Sequence, residues 1–226
     1  MAKNMFLYWG SGSPPCWKAM IALEEKGFSG YPNKMLNFSK KEHKGEEVLK
    51  LNPRGQLPTF KDGDLVINES DAICFYLESQ YPDKGHRLLP VGKEEKALAL
   101  QRAFEVANMR SGFMQDMMQY SMSTKEEDRD KKKMEEFYTK AREEIGRWES
   151  YLKKNDEGDF LAGKVFTMAD VFAFPLFAIC VRFGLQLEKF PSLSAYYKRL
   201  SERPSIKSTW PPHWSEGPGQ SAMSQI

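Results

Sequence analysis

Only three cysteines, Cys16, Cys74 and Cys180, occur in the 226 residues, far apart and without regular spacing. That excludes both a disulfide framework and a metal knuckle. No apolar run approaches the roughly 20 residues that a membrane span requires. The opening Met1-Ala2-Lys3-Asn4-Met5 is too short in its apolar part for a secretory signal. An excess of charge of one sign is also missing. The net charge is +2, and basic and acidic residues alternate, as in Glu126-Glu127-Asp128-Arg129-Asp130-Lys131. This is the pattern of solvated helix faces, not of a nucleic-acid footprint. No internal repeat is found. What is present, 41% hydrophobic and 28% charged residues, matches a soluble globular protein of one large domain or two ordinary ones. These properties predict a cytoplasmic, reduced, metal-free protein with neither a nucleic acid nor a membrane as partner.

The first 80 or so residues alternate strand and helix signals. Met5 to Trp9 reads as a strand leading into the turn Gly10 to Pro15, and Trp17, Met20, Ile21 and Leu23 form a helical stripe that stops near Gly27. Tyr31 to Leu36 reads as a second strand, and Glu46 to Leu51 as a short helix broken by Asn52-Pro53. Leu57 to Phe60 and Leu65 to Ile67 flank the hairpin signal Asp62-Gly63. Asn68-Glu69-Ser70 then opens a helix carrying Ile73, Leu77 and Tyr81 and stopped by Pro82. The order β-α-β-α-β-β-α is that of a thioredoxin-like domain over 1–82, followed by a Pro- and Gly-rich linker over 83–92. Beyond it, over 93–226, the strand signals vanish. Helices are predicted from Glu94 to about Tyr120, across Met134 to Leu152, from the capping box Thr167-Met168-Ala169-Asp170 through Phe183, and from Pro191 to Leu200. Pro175 is expected to kink the third. The tail from Trp210 is expected to be extended or disordered. The predicted fold is a two-domain α+β/α chain: a thioredoxin-like βαβαββα domain, then an all-helical bundle.

Ser13-Pro14-Pro15-Cys16 lies between the first strand and the first helix. It has the shape of a Cys-Pro-x-Cys redox turn whose first cysteine is replaced by serine. A serine forms no disulfide, but its hydroxyl donates a hydrogen bond to a thiolate brought by a ligand, aided by the helix N-terminus. The plainer alternative is a helix cap, and Tyr8 and Ser11 reach the same place. Cys16 reads either as a packed core thiol or as the nucleophile of a thiol oxidoreductase. Leu57-Pro58 is a candidate cis-proline that presents backbone groups to a peptide ligand. Glu69-Ser70 at a helix start suits the ammonium and carboxylate of an α-amino acid end. His43 with Lys40, Lys41 and Lys44 suits a second carboxylate, though such a run is also an ordinary solvated face.

Taken in this order, Ser-x-Pro-Cys after the first strand, His43 ahead of Asn52-Pro53, Gln56-Leu57-Pro58, Glu69-Ser70 with Ala72-Ile73, and Leu161-Ala162-Gly163 before the capping box resemble the soluble glutathione transferase family. The resemblance covers nearly the whole chain and is nearest to the serine-type classes. Leu7 to Trp17, with the ending Arg203 to Pro212, resembles the rho class. The resemblance implies conjugation of the glutathione thiolate to hydrophobic electrophiles, a detoxification reaction, in a cytoplasmic homodimer. Glutathione would be co-substrate, with no resident cofactor or metal. It implies Ser13 on the thiolate, with Ser11 and Tyr8 as alternatives. His43 and Gln56 would hold the glycine carboxylate, Leu57 and Pro58 the cysteinyl unit, and Glu69 and Ser70 the γ-glutamyl end. Phe104, Met109, Phe113 and Met117 would line the electrophile pocket, where flexible thioethers suit varied apolar shapes. The extra Gly12, the second proline and Asp71 depart from the usual pattern. Two other activities are compatible with the residues: glutathione-dependent oxidoreductase or peroxidase chemistry at Cys16, and non-catalytic binding of hydrophobic ligands.

Overall fold

The structure, a computed structural model, describes residues 4–155 and 159–226. Residues 1–3, where the sequence was read for a leader, and 156–158 lie outside the described residues. Contacts divide the chain into two compact units, Met1–Leu88 with Arg203–Gly217, and Leu89–Glu202 with Pro218–Ile226.

The first unit holds β1 (Met5–Trp9), α1 (Pro14–Glu25), β2 (Asn33–Met35), α2 (Glu46–Leu49), β3 (Thr59–Asp62), β4 (Leu65–Ile67) and α3 (Ser70–Gln80), in the order expected. The sheet runs β2-β1-β3-β4. β1 pairs in parallel with β2 (Leu7 opposite Asn33) and antiparallel with β3 (Tyr8 opposite Thr59). The hairpin between β3 and β4 pairs Asp62 with Leu65, and Gly63 takes the positive φ, +58°, that so tight a loop requires. β2 is shorter than the Tyr31–Leu36 expected. Pro32 has no N–H to give, and contributes only its carbonyl to the Leu7 N–H at 3.1 Å. α1 is buried on almost every side, through Cys16, Trp17, Ala19, Ile21, Ala22 and Leu23. It stops at a Schellman motif: Gly27 is left-handed (φ +68°), and the Phe28 N–H returns to the Leu23 carbonyl at 2.9 Å.

The second unit is helical: α4 (Lys93–Met109), α5 (Gln115–Ser123), α6 (Lys131–Lys154), α7 (Met168–Arg182) and α8 (Pro191–Ser201). The single helix expected from Glu94 to about Tyr120 is α4 and α5 joined by a π-helical turn over Arg110–Met114. Gly112 weakens the helix there. In addition, the Ser111 hydroxyl donates to the Ala107 carbonyl at 2.9 Å, competing with the backbone for the acceptor four residues back. α7 runs through Pro175 and is buried over most of its length, as an all-round apolar helix must be. Its start is fixed by the predicted capping box. Asp170, buried completely, accepts from the Thr167 N–H (2.7 Å), the Thr167 hydroxyl (3.1 Å), the Leu161 N–H (3.0 Å) and the Tyr196 hydroxyl of α8 (3.1 Å). Burial pushes this carboxyl up to about 6, and the four donors oppose it.

The tail differs from the extended or disordered segment expected. Arg203–Gly217, containing α9 (Pro204–Ser208) and a 3-10 turn over Pro212–Ser215, belongs to the first unit. The last nine residues return to the second, where Ala222, Met223 and Ile226 are buried. The N–H groups of Gln220 and Met223 satisfy the Arg182 and Phe183 carbonyls, at 2.8 and 2.7 Å, at the open end of α7.

Removing the Asp170 carboxylate orphans four buried donors at once. We predict that Asp170→Ala destabilises the protein by about 4 kcal/mol, and Asp170→Asn, which keeps one acceptor, by about 2 kcal/mol. Chemical denaturation checks both values.

Candidate active site

Strand register builds one end of the sheet in the first unit. Because Tyr8 pairs with Thr59, continuing the ladder sets Pro58 and Leu57 level with Trp9 and Gly10, beside the turn before α1. Phe60 pairs with Ile67, so Asn68, Glu69 and Ser70 follow at the same end. The loops are also tied to one another. Asn68 Nδ2 donates to the Leu51 carbonyl at 2.9 Å, and Lys44 Nζ donates to the Arg54 carbonyl at 2.8 Å. Lys18 of α1 forms an ion pair with Asp71. Tyr8, Cys16, Leu36, Val48 and Leu57 share one buried cluster beneath.

Within this frame Ser13 precedes α1 with extended backbone, and its side chain makes no cap hydrogen bond. Capping is therefore not its role. Its hydroxyl and the Gly10 N–H (3.4 Å) both meet the Cys16 sulfur. The helix start differs from the donor-rich N-terminus expected. Pro14 and Pro15 carry no N–H, and the Trp17 N–H is bonded to the Ser13 carbonyl at 2.9 Å. The helix dipole remains, but of the first turn's amides only that of Cys16 is left to face an anion. Ser11 Oγ lies 2.5 Å from His213 Nδ1. Tyr8 donates to Glu47 Oε1 at 3.0 Å; burial and that carboxylate raise its pKa, so its hydroxyl is a poor partner for a thiolate.

Leu57-Pro58 is cis. Among the described residues no backbone hydrogen bond uses the Leu57 N–H or C=O. Asn52 holds the bend ahead of it, giving Nδ2 to the Gln56 carbonyl at 2.9 Å and accepting the Arg54 N–H at 3.1 Å, while the Gln56 side chain is exposed. His43 stacks edge-on against Phe38, which in turn fills the space beside Gly10. Its Nδ1 is buried without a hydrogen-bond partner, and burial together with Lys44 lowers its pKa, so the ring is neutral near pH 7. Glu69 is exposed at the start of α3 and makes no cap bond, while the Ser70 hydroxyl lies 3.5 Å from Asp71 Oδ1.

Comparisons with known proteins show the family. Residues 7–85 match the model of the glutathione S-transferase N-terminal domain, and residues 112–208 that of the C-terminal domain. The whole chain is 48% identical to glutathione S-transferase A of Pleuronectes platessa, over 227 residues and 100% of both proteins. It is 32% identical to glutathione S-transferase 1 of Dianthus caryophyllus, over 85% of each. The chain belongs to the glutathione S-transferase family. Among solved structures, a glutathione S-transferase from the Antarctic clam Laternula elliptica superposes with a TM-score of 0.89 at 46% identity, covering 98% of this chain and 99% of that one. The glutathione transferase URE2P6 of Phanerochaete chrysosporium, solved in complex with oxidized glutathione, gives a TM-score of 0.77 at 30% identity, over 95% and 96%. The activity is accordingly that of a glutathione S-transferase.

Of the four residues expected to meet the electrophile, three lie in the core of this transferase's second unit. Met109, Phe113 and Met117 are at most 1% exposed, whereas Phe104 is 58% exposed. Met109 ends α4, Phe113 sits in the π-helical turn and Met117 in α5. The packing of the tail against this turn is not among the sequence expectations. Trp210, His213 and Trp214 return to the turn before α1, and Trp17 Nε1 donates to Thr209 Oγ1 at 2.9 Å. Three aromatic rings inside a Pro-rich stretch were the available signal. Asn68, whose Oδ1 is buried without a partner, was also passed over.

Burial holds all three thiols protonated, with Cys16 pushed up to about 11 and Cys74 and Cys180 to about 12. We predict that at pH 8 the folded protein reacts with no equivalent of a thiol-specific disulfide reagent. On unfolding in denaturant it should react with three. A fast-reacting Cys16 in the folded state would restore the oxidoreductase alternative.

Proposed function

We propose that this transferase is a serine-type enzyme of the rho kind, in which the Ser13 oxygen accepts the hydrogen of the protonated Cys16 thiol while its own hydroxyl hydrogen is donated to the glutathione sulfur. The observation that carries the reading is the pairing of an uncapped Ser13 with a helix start stripped of two amides by Pro14 and Pro15. With so few backbone donors left, a side-chain hydroxyl has to supply the hydrogen bond. A free thiol has a pKa near 8.5; one such bond and the helix dipole together lower it by about one to two units. The thiolate then attacks an electrophile held beside it, a gain in effective concentration with no covalent enzyme intermediate.

The other roles follow the donors at each loop. His43, with a buried ring nitrogen still unpaired, and Gln56 hold the glycine carboxylate. Leu57 pairs its N–H and C=O with the cysteinyl unit, and Pro58 packs beside it. Glu69 takes the ammonium of the γ-glutamyl end, while Ser70 and the first amides of α3 take its carboxylate. Lys18 neutralises Asp71, so that extra carboxylate does not repel the ligand. The acceptor is hydrophobic: Phe104 offers surface, and Met109, Phe113 and Met117 shape the helix from beneath. The reading includes a cytoplasmic homodimer active in detoxification and needs no resident cofactor.

Ser13→Ala tests it. The apparent pKa of bound glutathione, followed by thiolate absorbance, should rise by about half to one unit, because the helix dipole remains. kcat should fall roughly three- to tenfold while glutathione affinity changes by no more than about threefold. Cys16→Ala should leave turnover within about threefold. An unchanged thiol pKa in Ser13→Ala would refute the assignment.

A further inference from the structure

A serine hydroxyl carries one hydrogen. Ser11 lies in the same turn as Ser13, and its oxygen is already engaged with His213 Nδ1 at 2.5 Å. Which of the two gives the hydrogen depends on the imidazole tautomer. If Ser11 gives it, nothing is left for a ligand. If Nδ1 carries it, the serine oxygen accepts, and its own O–H is free to turn elsewhere.

The tail that brings His213 here is held along the length of α1. At the far end, Arg203 makes a bidentate pair with the buried Glu25, 2.6 Å through each nitrogen, and Ser205 hydrogen-bonds the same carboxylate. In the middle Thr209 accepts from the Trp17 indole, and Trp17, Trp210 and Trp214 meet edge to face with centroids 5.2 to 5.7 Å apart. Pro211 and Pro212 restrict the backbone just before the histidine. At the near end the imidazole lies on Gly12, where an added Cβ would stand 2.7 Å from His213 Cε1 and 3.2 Å from the Trp214 indole nitrogen. Gly12 also has a positive φ of +74°, so the turn needs glycine both for its conformation and for the space the ring occupies. A surface histidine carried by chance would not be seated on a serine and over a glycine of the same turn.

We propose that His213 is a positioning residue for the thiol-activating turn: it donates Nδ1–H to Ser11 Oγ, so that the Ser11 hydroxyl makes a second hydrogen bond to the glutathione sulfur beside that of Ser13. The inference rests on the sulfur binding at this turn. It explains how a helix start poor in amides still presents two donors to one thiolate. No proton passes along the chain; the thiol hydrogen leaves to water, and both hydroxyls keep theirs.

The test is a thiolate absorbance titration of bound glutathione in wild type, His213→Phe, His213→Asn, Ser11→Ala, the double variant His213→Phe/Ser11→Ala, and Ser13→Ala. His213 is exposed, so its replacement leaves the fold intact, and melting temperatures check this. His213→Phe and Ser11→Ala should each raise the apparent thiol pKa by about half to one unit, with kcat falling roughly three- to tenfold. The double variant should be no worse than Ser11→Ala alone, because the histidine acts through that hydroxyl. His213→Asn, whose amide reaches the position of Nδ1, should recover most of the loss. A wild-type pKa in His213→Phe, or effects of the two single changes that add, would overturn the proposal. If Ser13→Ala still raises the pKa in that case, the serine assignment survives alone. If Ser13→Ala is silent as well, the sulfur does not bind here and both fall.

Discussion

The pairing of β1 with its two neighbours is the constraint on which the site depends. β1 is central in its half of the sheet, bonded in parallel to β2 and antiparallel to β3. An antiparallel partner necessarily begins where β1 ends, so the turn entering α1 and the bend entering β3 lie side by side. The tight hairpin then returns β4 to the same end, and α3 starts there. A one-residue slip in the β1–β3 register would put Leu7 and Phe60, both fully buried, on opposite faces of the sheet. The hydrophobic pattern of two short strands thereby specifies which loops lie together. No loop contact has to find the others independently.

α1 transmits this placement to the chemistry. A helix that buries nearly all of its surface has little freedom to rotate or slide. Its C-terminal end is pinned by ions that are themselves buried: Glu25 by Arg203, and Lys26 by Glu78 at 2.9 Å and the His86 carbonyl at 3.3 Å. Removing one partner of such a pair strands a charge out of water, at a cost of about 3–5 kcal/mol. These contacts are worth more as locators than as net stability. They fix the end of the helix far from Ser13, and the indole cluster around Trp17 fixes the end near it.

Much of this was legible in the residues. Alternation and turn chemistry marked β1, β3 and β4, the left-handed Gly27 marked the end of α1, and Thr167 to Asp170 marked the start of α7. These are local signals, read within four or five residues. What was illegible depended on distance. That Ser13 is not a cap follows from where its hydroxyl finds Cys16, which spacing alone leaves undecided. That Tyr8 is committed follows from Glu47, 39 residues away. The Met stripe after residue 104 fits a pocket and a core equally well by periodicity, and burial separated Met109 and Met117 from Phe104. The tail was misread because a Pro-, Gly- and Ser-rich composition reports the absence of a helix, not the absence of order. Its order comes from tertiary partners, with three tryptophans on one side and the open carbonyls of α7 on the other.

On the proposed reading the turn before α1 treats two sulfurs in opposite ways, and solvation is what separates them. Cys16 has a hydroxyl and an amide directed at it, the same kinds of donor proposed for glutathione, yet its thiol is pushed up to about 11. The donors lower the cost of a thiolate there, and complete burial outweighs them. In the proposed complex, a sulfur arriving with a ligand would lie on the outer side of the half-buried Ser11 and Ser13, where desolvation is partial and the same kinds of donor would prevail. Replacing the outer cysteine of a redox turn by serine therefore does more than remove a disulfide. It leaves the inner thiol protonated and, on the serine reading proposed above, would free the hydroxyl hydrogen for the sulfur of the co-substrate.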